Sequence, residues 1–224
     1  MENGAVNQTL PQAFLKEDTL VVSFPAICRT VSWAPLGGGL TMARHWINHQ
    51  VQESRTLRED MESPAKTLRR VGRKLDLSGN LVGQMTSGNI KAFQESVLTD
   101  KGWTVFTVGT AGFSNAVRVG EAASNDSQKV GTINLLVWIS EPLALPTLFE
   151  ILQIAVEART LAVMELAVKS RATGVPATGT GTDCLTVACP SGKGRRVYAG
   201  KHTVLGELVG KTVLNVMNQK GKDK

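Results

Sequence analysis

The run Thr132-Ile133-Asn134-Leu135-Leu136-Val137-Trp138-Ile139 is apolar almost throughout. A strand of that composition is expected at the centre of a sheet covered on both faces. Pro146 then opens the longest helical pattern in the chain, with Leu148, Leu152, Ala155, Val156, Val163 and Leu166 recurring at helical spacing until Gly174-Val175-Pro176 breaks it. A buried strand feeding a long helix is the kernel of an α/β fold.

Upstream, Trp103–Val108 and Leu81–Met85 read as strands, and Thr86-Ser87-Gly88-Asn89 as a polar turn able to cap a short helix. Ser63-Pro64 supplies an N-cap and a first-turn proline for a basic helix whose Ala65, Leu68, Val71 and Leu75 share one side. Leu40–Val51 has mixed periodicity and is taken as a strand. Thr19–Phe24 and Ile27–Trp33 predict two strands joined by a tight turn at Pro25-Ala26, and Gly37-Gly38-Gly39 a turn where the backbone comes close to another group. Downstream, Cys184–Ala188 reads as a buried strand, and Thr203 caps a last helix striped by Leu205, Leu208, Val209, Thr212, Val213 and Val216. Gly206 and Gly210 stand one turn apart on it, which predicts close backbone packing. The expectation is a single α/β domain over residues 1–218, a central mixed β-sheet flanked by helices, with 219–224 a charged flexible tail.

The chain is 42% hydrophobic and 20% charged, enough apolar material for a sizeable core. Its formal charge of +6 favours anionic partners, but the cations are scattered and no basic run is interleaved with aromatics, which argues against nucleic-acid binding. The first twenty residues carry Glu2, Lys16, Glu17 and Asp18 and lack the apolar core of a signal peptide. Leu143–Val168, the richest apolar stretch, is interrupted by Glu150, Glu157, Arg159 and Glu165, so no membrane span is expected. Cys28, Cys184 and Cys189 make an odd count, read as buried thiols in a reducing, cytoplasmic compartment.

Familiar machinery is missing. Gly192-Lys193 lacks the upstream glycine of a P-loop, and neither a Gly-x-Ser-x-Gly elbow nor a His-Glu-x-x-His pair occurs. His45 and His49 share a face but have no acidic third ligand in sequence, so no metal is assigned to them. Three polar clusters interrupt apolar sequence at predicted strand ends: Ser114-Asn115, Thr132 with Asn134, and Gly179-Thr180-Gly181-Thr182-Asp183. Such residues make turns and caps, and ligands of α/β folds gather at such edges.

The run Thr178-Gly179-Thr180-Gly181-Thr182-Asp183, then Val187-Ala188-Cys189-Pro190, Tyr198-Ala199-Gly200, Gly206 and Gly210-Lys211, resembles the C-terminal signature of the adenosylcobinamide amidohydrolases. Gly38-Gly39-Leu40, Gln84-Met85-Thr86, Ser114-Asn115-Ala116, Gly131-Thr132-Ile133-Asn134 and Glu157-Ala158-Arg159-Thr160 follow in the family's order. The resemblance implies hydrolysis of the amide joining aminopropanol to the corrin ring, giving adenosylcobyric acid for cobalamin salvage. The corrinoid is then a substrate, and no separate cofactor is expected.

Amide cleavage needs an activated nucleophile, a stabilised oxyanion and a proton for the leaving amine. Residue chemistry and motif position nominate Asp183 as general base, Glu157 and His202 as proton donors, and Asn115 or Asn134 as oxyanion donor. Thr132, Gly179, Thr180, Gly181 and Thr182 are nominated to hold the substrate, and Lys193, Arg195 or Arg196 to meet a phosphate on it or simply to be solvated. A corrinoid-binding protein without turnover, a hydrolase of another amide and self-association into a homo-oligomer stay open on sequence.

Overall fold

The computed structural model describes residues 10–51, 63–123 and 131–218. The run that opened the sequence reading forms β8 (Ile133–Ile139), and all seven of its residues are buried. It lies parallel to β10 (Cys184–Pro190) on one side and antiparallel to β6 (Trp103–Ala111) on the other. Around them stand β1 (Gln12–Lys16), β2 (Thr19–Ser32), β3 (Gly39–Gln50), β4 (Leu81–Thr86) and β5 (Gln94–Asp100). The mixed eight-stranded sheet runs β4-β3-β2-β10-β8-β6-β5, with β1 added along the first half of β2. A second sheet of two short strands pairs β7 (Ala116–Val117) with β9 (Gly179–Thr180).

Helices cover the outer face. On β8 and β10, Leu135, Val137, Leu185 and Val187 pack with residues of α2 (Leu145–Glu165) and α3 (Val204–Asn218), among them Leu148, Ile151, Ala155, Val209 and Val213. Thr107 on β6 donates to Thr212 of α3 at 2.8 Å inside this layer. At the other end of the sheet, Leu68, Val71 and Leu75 lay α1 (Pro64–Lys74) on Val21 and Ile47. Its cap is made by backbone alone: the Ser63 carbonyl accepts from Lys66 and Thr67 at 2.8 and 3.1 Å, and the Ser63 hydroxyl makes no capping bond.

The inner face is covered by the sheet itself. Trp46, Val82, Phe106, Leu136 and Trp138 form one core there. Asn134 Nδ2 on β8 donates to Asn48 Oδ1 on β3 and to the Met85 carbonyl on β4, both at 2.8 Å, although β2 and β10 stand between those strands in the sheet. The sheet must therefore curl until β3 and β4 meet β8 over that face. Truncating Trp138 to Ala in so closed a core costs roughly 3–5 kcal/mol.

The expected hairpin at Pro25-Ala26 is replaced by one long strand. Both halves of β2 pair with β3, and the register jumps from Ser23 opposite His45 to Cys28 opposite Ala43. The four residues Phe24–Ile27 bulge opposite Arg44, where Pro25, lacking an N–H, is tolerated. The helix opened at Pro146 stops at Glu165 instead of reaching Gly174, because Ala167 adopts a φ of 52° and turns the chain out. Strands also come in longer runs than the expected strand–helix alternation, with no α-helix among the described residues between β4 and β8. The Gly37-Gly38-Gly39 turn closes as expected: a Cβ on Gly37 would lie 2.6 Å from the Leu81 carbonyl oxygen. Gly206 presses on the Gly200 carbonyl in the same manner, whereas Gly210 has nothing within 4 Å. The charged tail 219–224 lies outside the described residues.

Candidate active site

The chain crosses from β9 into β10 through Gly179–Asp183, and the Asp183 carboxylate organises that loop. Its Oδ1 accepts from the Ile133 amide at 3.1 Å and from the Thr180 hydroxyl, and its Oδ2 from the Thr180 amide at 3.0 Å. Arg159, reaching over from α2, completes the set with an Nη1–Oδ2 ion pair of 2.8 Å and donates to the Thr178 carbonyl at 2.7 Å. Both side chains are nearly buried, 12% and 7% exposed, where an unpaired charge would be very costly. Gly179 lies beneath the pair: a Cβ there would come within 2.0 Å of Arg159 Nη1 and 2.4 Å of Asp183 Oδ2.

The neighbouring motif blocks are tied to the same loop. Thr132 Oγ1 donates to the Thr182 carbonyl at 2.7 Å, and Thr182 Oγ1 returns a bond to the Gly131 carbonyl at 3.0 Å. Gly131 brings Ser114 and Asn115 close, since a Cβ on it would meet the Ser114 amide nitrogen at 2.6 Å. The Asn115 amide group stands beside Gly181, and pairing of Ala116-Val117 with Gly179-Thr180 holds the two segments together. Trp33 joins them from the end of β2, its indole Nε1 donating to the Asp183 carbonyl at 2.7 Å.

Behind this rim lies a floor of carboxamides on the inner face of the sheet. Asn134 binds Asn48, Asn48 donates to Thr110 at 2.9 Å, and Gln84 donates to Thr186 at 3.0 Å, all of them buried. The Oδ1 atoms of Asn115 and Asn134 and the Oε1 atom of Gln84 are enclosed without a hydrogen-bond donor. The floor is thus rich in acceptors. Its Asn134 amide nitrogen is already spent on Asn48 and Met85, which leaves Asn134 poorly placed to donate to an oxyanion.

The fold thus brings Asn115, Thr132, Gly179, Thr180, Gly181 and Thr182 together with Asp183, whereas Asn134 turns its side chain to the inner face, onto Asn48 and Met85. Glu157 and His202 belong to another neighbourhood. Glu157 is two residues from Arg159 on α2, about 200° around a helix axis, and so points away from the Asp183 loop. It accepts from Lys201 at 2.7 Å and from Gln153 at 3.1 Å, bonds that hold its carboxyl below the ordinary range and favour the ionised form over a proton donor. His202 is exposed at the entrance to α3, where Thr203 caps the helix through the Gly206 amide at 3.1 Å.

Residue chemistry assigned no role to Arg159, Asn48 or Gln84, although Arg159 and Gln84 stand in the family-like blocks Glu157-Ala158-Arg159-Thr160 and Gln84-Met85-Thr86. Arg159 did leave a signal, as a cation on an apolar helix that must find an acidic partner if buried. Asn48 left none, because a polar residue alternating along a strand usually faces water. Elsewhere, a cavity of about 150 Å³ lined by Pro146, Thr147, Glu150, Arg196, Val197 and Tyr198 opens at the start of α2, beyond the opposite end of β8 from the Asp183 loop. It holds a few waters' volume and is too small for a tetrapyrrole. Arg195 beside it lies over the Trp103 ring, 5.6 Å from the centroid. His45 and His49 bond to Ser23 and Thr19, at 3.0 and 2.9 Å, on the outer face. No helix among the described residues is long and apolar enough to cross a membrane.

The family model described as adenosylcobinamide amidohydrolase matches residues 5–223. The adenosylcobinamide amidohydrolase of Methanosarcina mazei is 29% identical over 214 residues, covering 91% of this chain and 94% of that protein. The crystal structure of the PH0078 protein from Pyrococcus horikoshii OT3 aligns with a TM-score of 0.47 at 8% identity, over 92% of this chain and 81% of that one.

Proposed function

Because the chain belongs to the adenosylcobinamide amidohydrolase family, we propose that it hydrolyses the amide between aminopropanol and the corrin ring of adenosylcobinamide, releasing adenosylcobyric acid. The observation that carries this reading is the meeting of sequence-distant segments, Trp33, Asn115, Thr132 and Thr180–Asp183, around one buried carboxylate.

In this reading Asp183 is the general base. Three of its donors, the Ile133 amide, the Thr180 amide and Arg159, are anchored, whereas the Thr180 hydroxyl can leave by a χ1 rotation. A water taking that hydroxyl's place gives its proton to Oδ1 as it attacks the amide carbonyl. The same carboxyl then returns the proton to the departing amine, so the distant Glu157 and His202 have no part in the step.

A second reading is favoured by the same geometry. Asp183 has all four donors in place, which suits a protein that holds a corrinoid without cleaving it.

Incubation with adenosylcobinamide, with and without a chelator, followed by mass spectrometry separates the two. Loss of the aminopropanol mass supports hydrolysis, and unchanged corrinoid that co-elutes with the protein supports binding alone. A corrinoid neither altered nor retained removes both. Asp183→Asn run in parallel tests the assigned base, and a near-normal rate with the fold intact withdraws it.

A further inference from the structure

Trp33 is 46% exposed, yet its position is fixed. The indole Nε1 is tied to the Asp183 carbonyl at 2.7 Å, so the ring is anchored to the loop that carries the proposed base. The backbone around it is held by Ser32, whose hydroxyl donates to the Leu185 carbonyl at 2.8 Å and accepts from the Ala34 amide at 3.0 Å. Across the Gly37-Gly38-Gly39 turn, Leu40 and Met42 on β3 are also exposed, 57% and 38%, with Leu40 opposite Val31 in register. A large aromatic ring left half open to water while its one polar atom is spent on protein offers only its π face to a partner.

Resting on the hydrolase reading above, we propose that Trp33 is a substrate-binding residue on which a flat conjugated surface of the corrinoid stacks. Its Nε1 bond to the Asp183 carbonyl then sets the distance between that surface and the carboxylate. Two parts of adenosylcobinamide have such a surface, the corrin ring and the axial adenine, and the stacking chemistry is common to both.

The test compares wild type, Trp33→Ala and Trp33→Phe in turnover of adenosylcobinamide, with calorimetric binding of adenosylcobinamide and of dicyanocobinamide, which lacks the adenine. Trp33→Ala is expected to raise KM and Kd on the order of ten- to a hundred-fold, the size of a lost aromatic stack, with a smaller change in kcat. Trp33→Phe loses the indole hydrogen bond but keeps a ring, and is expected to recover most of the affinity. Weakening toward both corrinoids identifies the corrin ring as the stacked group, and weakening toward the adenosyl form alone identifies the adenine. The proposal is overturned if Trp33→Ala matches wild type in KM and Kd, or if Phe is as damaging as Ala, which would leave Trp33 only as a tether for the loop. Wild-type protein that neither binds nor cleaves either corrinoid removes the hydrolase reading and this one with it.

Discussion

Arg159 Nη1 stands 2.8 Å from Asp183 Oδ2, and the two nearly buried side chains join α2 to the loop before β10. Removing one partner of such a pair strands the other charge, so Arg159→Ala is expected to lower stability by about 3–5 kcal/mol. The exposed pair of Glu157 on the same helix with Lys201 in the turn before α3, 2.7 Å apart with 41% and 71% exposure, is the control, and Lys201→Ala should leave the urea midpoint unmoved. Equal midpoints for the two variants would mean that the buried pair does not hold the loop.

The two glycines of α3 have opposite expectations. A Cβ on Gly206 would lie 2.2 Å from the Gly200 carbonyl oxygen and 2.5 Å from that of Ala199, both backbone atoms that cannot step aside cheaply. Gly206→Ala should therefore cost roughly 1–3 kcal/mol, as overpacking does. Gly210 has no heavy atom within 4 Å of the added methyl, so Gly210→Ala should gain roughly 0.5–1 kcal/mol from helix propensity alone. Urea titration of the two variants checks both signs at once.

The same contrast shows how far sequence could lead. Periodicity located β8, α2 and α3 because each owes its pattern to neighbours within a turn or two along the chain. One-turn spacing of Gly206 and Gly210 suggested a common role, but only the first meets the Ala199-Gly200 segment, which no local pattern encodes. The curl of the sheet was hidden for a related reason. It rests on contacts such as Asn134 to Asn48 and Met85, and the β2 bulge that helps to bend the strand looks in sequence like a hairpin turn. Of the three polar clusters, Asn115, Thr132 and Gly179–Asp183 meet in space, while Asn134 faces the inner side of the sheet. The apolar helix around Arg159 hinted at a buried cation, but nothing local says which acid it meets, so its pairing with Asp183 was not legible.

Cys184 is on the inner face next to Asp183, and burial pushes its thiol up to about 12, as it does that of Cys28, while Cys189 is also raised. All three cysteines are buried and free, so at mildly alkaline pH the thiolate needed for alkylation is scarce and enclosed. Iodoacetamide is expected to leave the native protein unmodified and its corrinoid turnover intact, with three adducts appearing by mass only after denaturation. Native-state labelling of Cys184 with loss of turnover would instead place that thiol in an open site.

His45 and His49 make stability depend on pH in one direction. Burial is the largest influence on each and lowers both from the usual 6.5, so the folded protein resists protonation that the unfolded chain accepts. Above about pH 6.5 both states hold neutral imidazoles and the histidines contribute no slope. As pH falls below that value the unfolded chain takes up protons first, and the native state loses about 1.4 kcal/mol per pH unit for each proton withheld, until the depressed folded values are passed. The carboxylates of Glu121, Glu157 and Glu207, lowered from 4.5, titrate below this window. Urea midpoints near pH 8 and near pH 5.5 should therefore differ for wild type and converge in the His45→Gln/His49→Gln double variant. A difference that survives the double substitution would assign the slope to groups other than these two rings.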